Sequence, residues 1–398
     1  MEKKFIIQAS SKTWAGGPDF QMNLIENQPV VYHTISKIFN AYPDAAVITV
    51  APEFDRDGDL EFLKEDFSTF NFKLFYGYSD NPLQRILSVT NEWDMDEFFI
   101  RIDGLNMFFD IHKSIFMLEE AKKNNYDLYM FPHDYPVQFT SEVYKIRALR
   151  KAFDEISSGQ TLKKYFIHPK YYLHHNENYI SGILTSLPEY SDDYLKKCRN
   201  IASDIYNIER LYTDNKYSVE HADQLAYHYH VANNFLTSEM DVLDIACGDG
   251  NGAEIIAKQA KSVVGADIDQ ELISELTRKN QTENIKYICT DALKMDFETE
   301  QFDAVCSMET IEHLDEVLLL SEIHRVLKPG GILILSTPQN AMGHIPINAE
   351  HRREFSLKEL TDLVKKKFEI KEVIGLKAGT ISFKGDPIGR STIIICKK

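Results

Sequence analysis

The chain has 398 residues, 43% of them apolar and 26% charged, and a formal net charge of −17. That length suits two domains, and the composition is that of globular protein rather than a disordered or fibrous one. Divided at Asp214/Asn215, the two parts carry net charges of −9 and −8, so neither is a basic domain, and DNA or an anionic membrane surface is disfavoured as a partner.

The opening, Met1–Ser10, has Lys3 and Lys4 but only Phe5–Ile7 as an apolar stretch, too short for a secretory signal. Lys4–Ala9 and Ala45–Ala51 read as strands with a helix over Val30–Asn40 between them. Phe98–Ile102 and Leu128–Phe131 repeat the strand pattern, and Ile111–Asn124 has helical spacing. This alternation predicts an α/β layer with a mainly parallel sheet. The pattern breaks at Pro188, and Asp192–Arg210 is polar and helical. The expected division is a first domain over 1–188, a helical connector over 189–215 and a second α/β domain over 216–398. No apolar run approaches the roughly 20 residues of a membrane span. Cys198, Cys247, Cys289, Cys306 and Cys396 are scattered without a CxxC. They offer neither a disulfide framework nor a zinc signature, so the expectation is a cytoplasmic protein with no metal site.

In the second domain, Asp241–Cys247 is a buried-strand pattern that runs into Gly248-Asp249-Gly250-Asn251-Gly252, with helical spacing over Ala253–Ala260. Glycines let a backbone approach a ligand closely, and a new helix offers free N–H groups. The next strand, Ser262–Ala266, ends in Asp267, an acid placed to accept from ribose hydroxyls. Taken alone, Gly248-x-Gly250-x-x-Ala253 with Asp267 also satisfies a dinucleotide fingerprint. Asp244 favours a cationic ligand, because a carboxylate ahead of the turn repels pyrophosphate and attracts ammonium. A third strand, Ile285–Thr290, ends in Asp291-Ala292. A fourth, Phe302–Ser307, leads into Met308-Glu309-Thr310-Ile311-Glu312-His313.

These residues resemble a class I S-adenosylmethionine-dependent methyltransferase over about 216–398. Asp244 to Gly252 resembles the family's first motif, with Ala246 where many members have glycine. The resemblance implies a Rossmann-like seven-stranded sheet binding S-adenosyl-L-methionine through Asp244, Ala246, Gly248, Gly250, Asp267, Ile268, Asp291, Ala292 and Met308. Lys328-Pro329-Gly330-Gly331 and Ile332–Pro338 match its turn and fifth strand. Phe368–Leu376 and Thr392–Cys396 would supply the last two strands, one of them antiparallel. Glu220-His221, Tyr227-His228 and His230 before the first strand, with Glu350-His351-x-x-Glu354-Phe355-Ser356 after the fifth, are similar to methyltransferases of bacterial surface-polysaccharide synthesis. A hydroxyl acceptor needs a base near neutral pH, for which histidine is suited. His313 and His351 are the catalytic candidates, with His344 behind them. Glu309 and Glu312 rank lower, read as acids of a helix's first turn.

In the first domain, Trp14-Ala15-Gly16-Gly17-Pro18 follows the first strand. Asn81-Pro-Leu-Gln-Arg85, Phe99-Ile-Arg-Ile-Asp-Gly104 and Tyr135-Pro-Val-Gln-Phe-Thr-Ser-Glu-Val143 come later. Their order resembles the cytidylyltransferases of the spore-coat polysaccharide and acylneuraminate type, which implies a nucleotide-diphosphosugar transferase-like α/β layer. Where that family has a phosphate-binding arginine and lysine, this chain has Ser10 and Gln21-Met22-Asn23. Leu105 and Thr140 stand where aspartates for magnesium are expected, with Lys12 and Asp103 as candidate substitutes. A degenerate domain that recognises an acceptor or pairs subunits is the reading these departures favour. The expected function is methyl transfer to a sugar, nucleotide sugar or polysaccharide precursor. The alternatives are a bifunctional enzyme with an active nucleotidyltransferase half, a cofactor-binding scaffold without turnover, and a protein or RNA acceptor. A homo-oligomer is compatible with the sequence.

Overall fold

A computed structural model describes residues 2–12, 19–159, 163–206, 218–342, 351–377 and 380–398. The loop Trp14–Pro18, His344 and Glu350 lie outside the described residues, as do the side chains of Glu220 and His221. The chain forms two compact units, Met1–Asn207 and Ile208–Lys398.

The first unit holds a seven-stranded sheet. Its strands are β1 (Lys4–Gln8), β2 (Ala46–Pro52), β3 (Phe72–Gly77), β4 (Phe98–Asp103), β5 (Leu128–Met130), β6 (Glu142–Lys145) and β7 (Ser181–Ile183), in the order β3-β2-β1-β4-β6-β5-β7. The pairs among β3, β2, β1 and β4 are parallel, as is β5 with β7, while β6 runs antiparallel to both neighbours. The helices include α1 (Val30–Ala41), α2 (Phe62–Asp66), α3 (Pro82–Val89), α4 (Ile111–Asn124), α5 (Ile146–Ser158) and α6 (Pro169–His174). Phe5, Ile6 and Ile7 are all fully buried, as expected for a central strand covered on both faces. The polar segment expected to connect the domains enters as α7 (Asp192–Tyr206), which lies within the first unit and buries Leu195, Cys198, Ala202 and Ile205. A 3.6-residue period puts those four on one stripe.

The second unit opens with α8 (Ser218–Asn233) and holds a second seven-stranded sheet. Its strands are β8 (Asp241–Ile245), β9 (Ser262–Asp267), β10 (Ile285–Cys289), β11 (Phe302–Met308), β12 (Leu327–Pro338), β13 (Glu369–Leu376) and β14 (Ser391–Lys397). The order is β10-β9-β8-β11-β12-β14-β13, with β14 antiparallel to both neighbours and the other pairings parallel. Helices α9 (Asn251–Ala257), α10 (Gln270–Lys279), α11 (Glu316–Val326) and α12 (Leu357–Val364) join the strands. Alternation along β8 sends Leu243 and Ile245 into one apolar cluster and Val242 into another. Asp244 therefore shares the face of Val242, toward Tyr229 of α8. No helix among the described residues is long and apolar enough to cross a membrane.

Candidate functional site

The chain reverses sharply after β8. Ala246, Gly248 and Gly250 have φ of 58°, 50° and 80°, a left-handed region that favours glycine. The non-glycine Ala246 shows that the motif's alanine keeps the conformation for which glycine is the usual choice. The turn is tied to β9 twice, by Cys247 N–H donating to the Ala266 carbonyl at 3.0 Å and Gly248 N–H donating to Asp267 Oδ2 at 3.0 Å. A Cβ on Gly248 would meet nothing within 4 Å, so the backbone there borders open space. A Cβ on Gly252 would lie 2.1 Å from the Tyr229 ring, so only glycine lets α9 sit against α8.

Asp244 is fully buried, and the Tyr229 hydroxyl donates to its Oδ1 at 3.1 Å. Burial pushes the carboxyl from its ordinary 3.8 up to about 7; the Tyr229 hydrogen bond opposes the rise, and Asp267 and Asp249 add to it. Oδ2 of Asp244 is buried with no hydrogen-bond partner. Asp267 ends β9 and Cys289 ends the neighbouring β10. Ile268 is 70% exposed, a large apolar side chain held outward beside the acid. Asp291 is exposed, accepting from Leu293 N–H at 2.8 Å, with Ala292 buried after it. Met308 closes β11 in the buried layer. The sequence-derived cofactor residues thus stand at the C-terminal ends of four adjacent parallel strands, where open α/β sheets bind ligands.

The catalytic candidates form a second cluster at the ends of β11 and β12. Glu309 and Glu312 do not occupy a helix's first turn as expected. Glu309 leaves β11 with φ 48°, and α11 begins only at Glu316 under an Asp315 cap. Both acids are held by tertiary contacts. Glu309 N–H donates to Ser336 Oγ at 3.1 Å, and Thr337 Oγ1 donates to Glu312 Oε2 at 2.8 Å. The segment carrying His351 is held by the Arg352 N–H donating to the Glu312 carbonyl at 2.9 Å, and by Phe355 bridging to Gln339. This brings the His313 and His351 rings to 4.8 Å between centroids, edge to face. His351 Nδ1 lies 2.9 Å from Glu354 Oε1, and Glu354 Oε2 accepts from Asn340 at 2.5 Å.

Burial raises the Glu309 carboxyl to about 7, and burial with the nearby Glu309 lifts Glu312 well above the carboxylate range. Glu312, His313 and His351 each offer a ligand atom within 4.8 Å of the others. That set can pass a proton or hold a divalent ion.

Sequence reasoning passed over three contributors. Tyr229 stands between the noted His228 and His230, and its role needs the α8–β8 contact. Ser336 joins His228 Nδ1 at 2.9 Å and also meets Glu309. Strand alternation in β12 was the available signal, since Ser336 shares the face of Ile334. Glu354 belongs to the Glu350–Ser356 run, whose pattern does not announce its bond to His351.

A doubly wound sheet with acid-tipped strands and a glycine turn defines a Rossmann-like ligand-binding domain. Residues 243–335 match the family model described as a methyltransferase domain, so the second unit carries such a domain, whose cofactor is S-adenosyl-L-methionine. A Mycolicibacterium smegmatis protein, described as a probable S-adenosylmethionine-dependent methyltransferase, is 32% identical over 145 residues, covering 35% of this chain and 56% of its own length. The ubiquinone biosynthesis O-methyltransferase of Coxiella burnetii is 36% identical over 101 residues, 24% of this chain and 42% of that one. The chain spans about half the length of the curated relatives it matches. A methyltransferase structure from Thermotoga maritima aligns at 20% identity with a TM-score of 0.39, covering 48% of this chain and 97% of that one.

Proposed function

We propose that the protein transfers the methyl group of S-adenosylmethionine to a hydroxyl of a sugar, nucleotide sugar or polysaccharide precursor, with the first unit aiding acceptor recognition. The observation that carries the cofactor part is the buried, unsatisfied Oδ2 of Asp244 beside a turn that borders open space. An orphaned buried carboxylate oxygen is costly, and a cationic amine donating to it removes that cost. The residues therefore fit this cofactor.

The bound cofactor supplies an already activated methyl group on a sulfonium. The chain's own residues supply alignment, exclusion of water and proton handling. Asp244 receives the ammonium, and the glycine turn lets backbone approach. Asp267 keeps lone pairs for ribose hydroxyls beyond those used by Gly248 and Asp269 N–H. His313 takes the acceptor's proton, and His351, oriented by Glu354, serves the same cluster. The Coxiella relative is an O-methyltransferase by name, which supports oxygen as the acceptor atom.

In the first unit the acids are engaged by the chain itself, which supports a degenerate nucleotidyltransferase-like domain. Asp55 is fully buried and accepts from Ser10 Oγ, Ser11 N–H and Ser11 Oγ, each at 2.8 Å. Glu142 accepts from Lys170 at 2.6 Å and Tyr144 at 2.8 Å, with Arg101 at 3.4 Å. The test pairs calorimetry of S-adenosylmethionine binding with conversion of labelled cofactor in the presence of nucleotide sugars and free sugars. Cofactor binding with methylated sugar product is expected; absence of binding overturns the enzyme reading. Pyrophosphate release from CTP and magnesium would overturn the degenerate reading of the first unit.

A further inference from the structure

We propose that His133, His174 and His175 form a transition-metal site in the first unit, clipping the loop after β5 to the end of α6 and to edge strand β7. His133 is 7% exposed and lies three residues beyond β5, while His174 closes α6 and His175 caps it. One ring nitrogen from each lies within 4.8 Å of the other two. The rings pack mutually, with centroids 5.2 Å apart for His133 and His174, 5.9 Å for His133 and His175, and 4.7 Å for His174 and His175.

The outer contacts match what metal-binding imidazoles require. His175 Nδ1 sits 3.1 Å from the Tyr171 carbonyl. A carbonyl only accepts, so this contact places the ring proton on Nδ1. His174 Nδ1 sits 2.8 Å from Ser181 Oγ, at the start of β7. Hydrogen bonds of this kind fix tautomer and ring orientation in metal sites. The Tyr171 ring packs on His133 at 5.2 Å and completes the support.

An all-imidazole set selects the ion. Zinc, cobalt and nickel accept three nitrogens with water in a further position, whereas magnesium and calcium require hard oxygen ligands. The contacts join three places separated in sequence and adjacent at one edge of the sheet, since β5 pairs with β7 from Leu128/Ser181 to Met130/Ile183. The ion acts there as a staple.

The test uses the full chain stripped with a chelator and titrated with cobalt(II) or zinc(II). Glu312, His313 and His351 in the second unit also converge, so the His351→Ala chain isolates the first-unit site. That chain is expected to keep one tight equivalent, and adding His174→Ala is expected to remove it. Ser181→Ala is expected to weaken binding by roughly 10-fold through its outer hydrogen bond. X-ray absorption of the His351→Ala chain with one equivalent of zinc, which leaves the first unit unaltered, is expected to show three imidazoles. No tight equivalent in that chain overturns the proposal. So do fewer than two imidazoles, or an equivalent that His174→Ala leaves in place.

Discussion

Tyr229 donates to one oxygen of Asp244 at 3.1 Å while the other oxygen of that carboxylate is buried without a partner. The pair is a half-completed arrangement: the helix satisfies one oxygen, and the other is open to a donor, which the proposed function supplies as the cofactor's ammonium. Asp244→Asn keeps the shape and removes the charge. A hydrogen bond to a charged group contributes about 1.5–3 kcal/mol, so the Kd for S-adenosylmethionine should rise roughly 10- to 100-fold. Calorimetry checks this; an unchanged Kd would remove Asp244 from the site.

The same carboxyl sets a pH dependence. Its native value of about 7 lies above the ordinary 3.8, so between those values the folded state holds a proton that the unfolded state has released. Its contribution to stability is therefore present below about pH 4 and is lost as pH rises through 7. Cofactor binding favours the charged form, so affinity should increase from pH 6 to pH 8 with proton release at the lower end. Calorimetry in buffers of different ionisation enthalpy measures the released proton, and Asp244→Asn should abolish the dependence.

In the proposed function His313 and His351 act on the acceptor side. Removing a general base costs roughly 10²- to 10⁴-fold in turnover. His313→Ala should show that loss with cofactor affinity unchanged, read as S-adenosylhomocysteine formed with an active acceptor. Glu354→Gln should give a smaller loss and a shifted pH–rate profile, because Glu354 acts through the orientation of His351. Full turnover in His313→Ala would end its role as base.

Gly252→Ala tests packing. The added carbon would lie 2.1 Å from the Tyr229 ring, so the helix or the tyrosine must move. Overpacking of this kind costs about 1–3 kcal/mol. Thermal unfolding of the second unit should shift downward, and cofactor affinity should fall because Tyr229 is the support of Asp244.

In the first unit, burial would raise Glu142, yet Lys170 and Arg101 hold it down to about 2. A carboxyl held below its ordinary 4.5 contributes stability above that value and loses it as pH falls toward 2. Lys170→Met leaves Glu142 nearly buried beside one fewer cation. Because Lys170 is about one-fifth exposed, the loss should sit near the lower end of the range for broken buried pairs, about 3 kcal/mol. Denaturant unfolding at pH 7 checks it, and the difference from the natural chain should shrink below pH 4.

Much of this was legible in the sequence because it depends on local pattern. The helix over Ile111–Asn124 has its expected bounds, and β1, β2, β4, β5 and β8 to β11 lie within two residues of expectation, whereas β12 starts five residues ahead of the expected Ile332 and takes in the Lys328–Gly331 stretch read as a turn. Strand-end acids such as Asp267 are placed by period and turn chemistry alone. Tertiary facts were not legible. The role of Glu309 and Glu312 depends on Ser336 and Thr337 of another strand, so the acids looked like a helix's first turn. The three-histidine cluster was equally hidden, because His133 is some forty residues from His174 and His175 and no ligand spacing announces it. Tyr229 gained its function only from the face that β8 turns to α8.

Asp244, Asp267 and Asp291 lie on or just past three successive strands, β8, β9 and β10. Neighbouring strands are spaced about 4.8 Å apart by their hydrogen bonds, so the row of acids spans roughly 10 Å, an interval set by the backbone. The sheet is thus a ruler whose graduations no side-chain substitution can rescale. In the proposed function, loops and flanking helices are free to change which acceptor is admitted, while the length of the cofactor that fits the row is fixed by the hydrogen-bonded spacing of the strands.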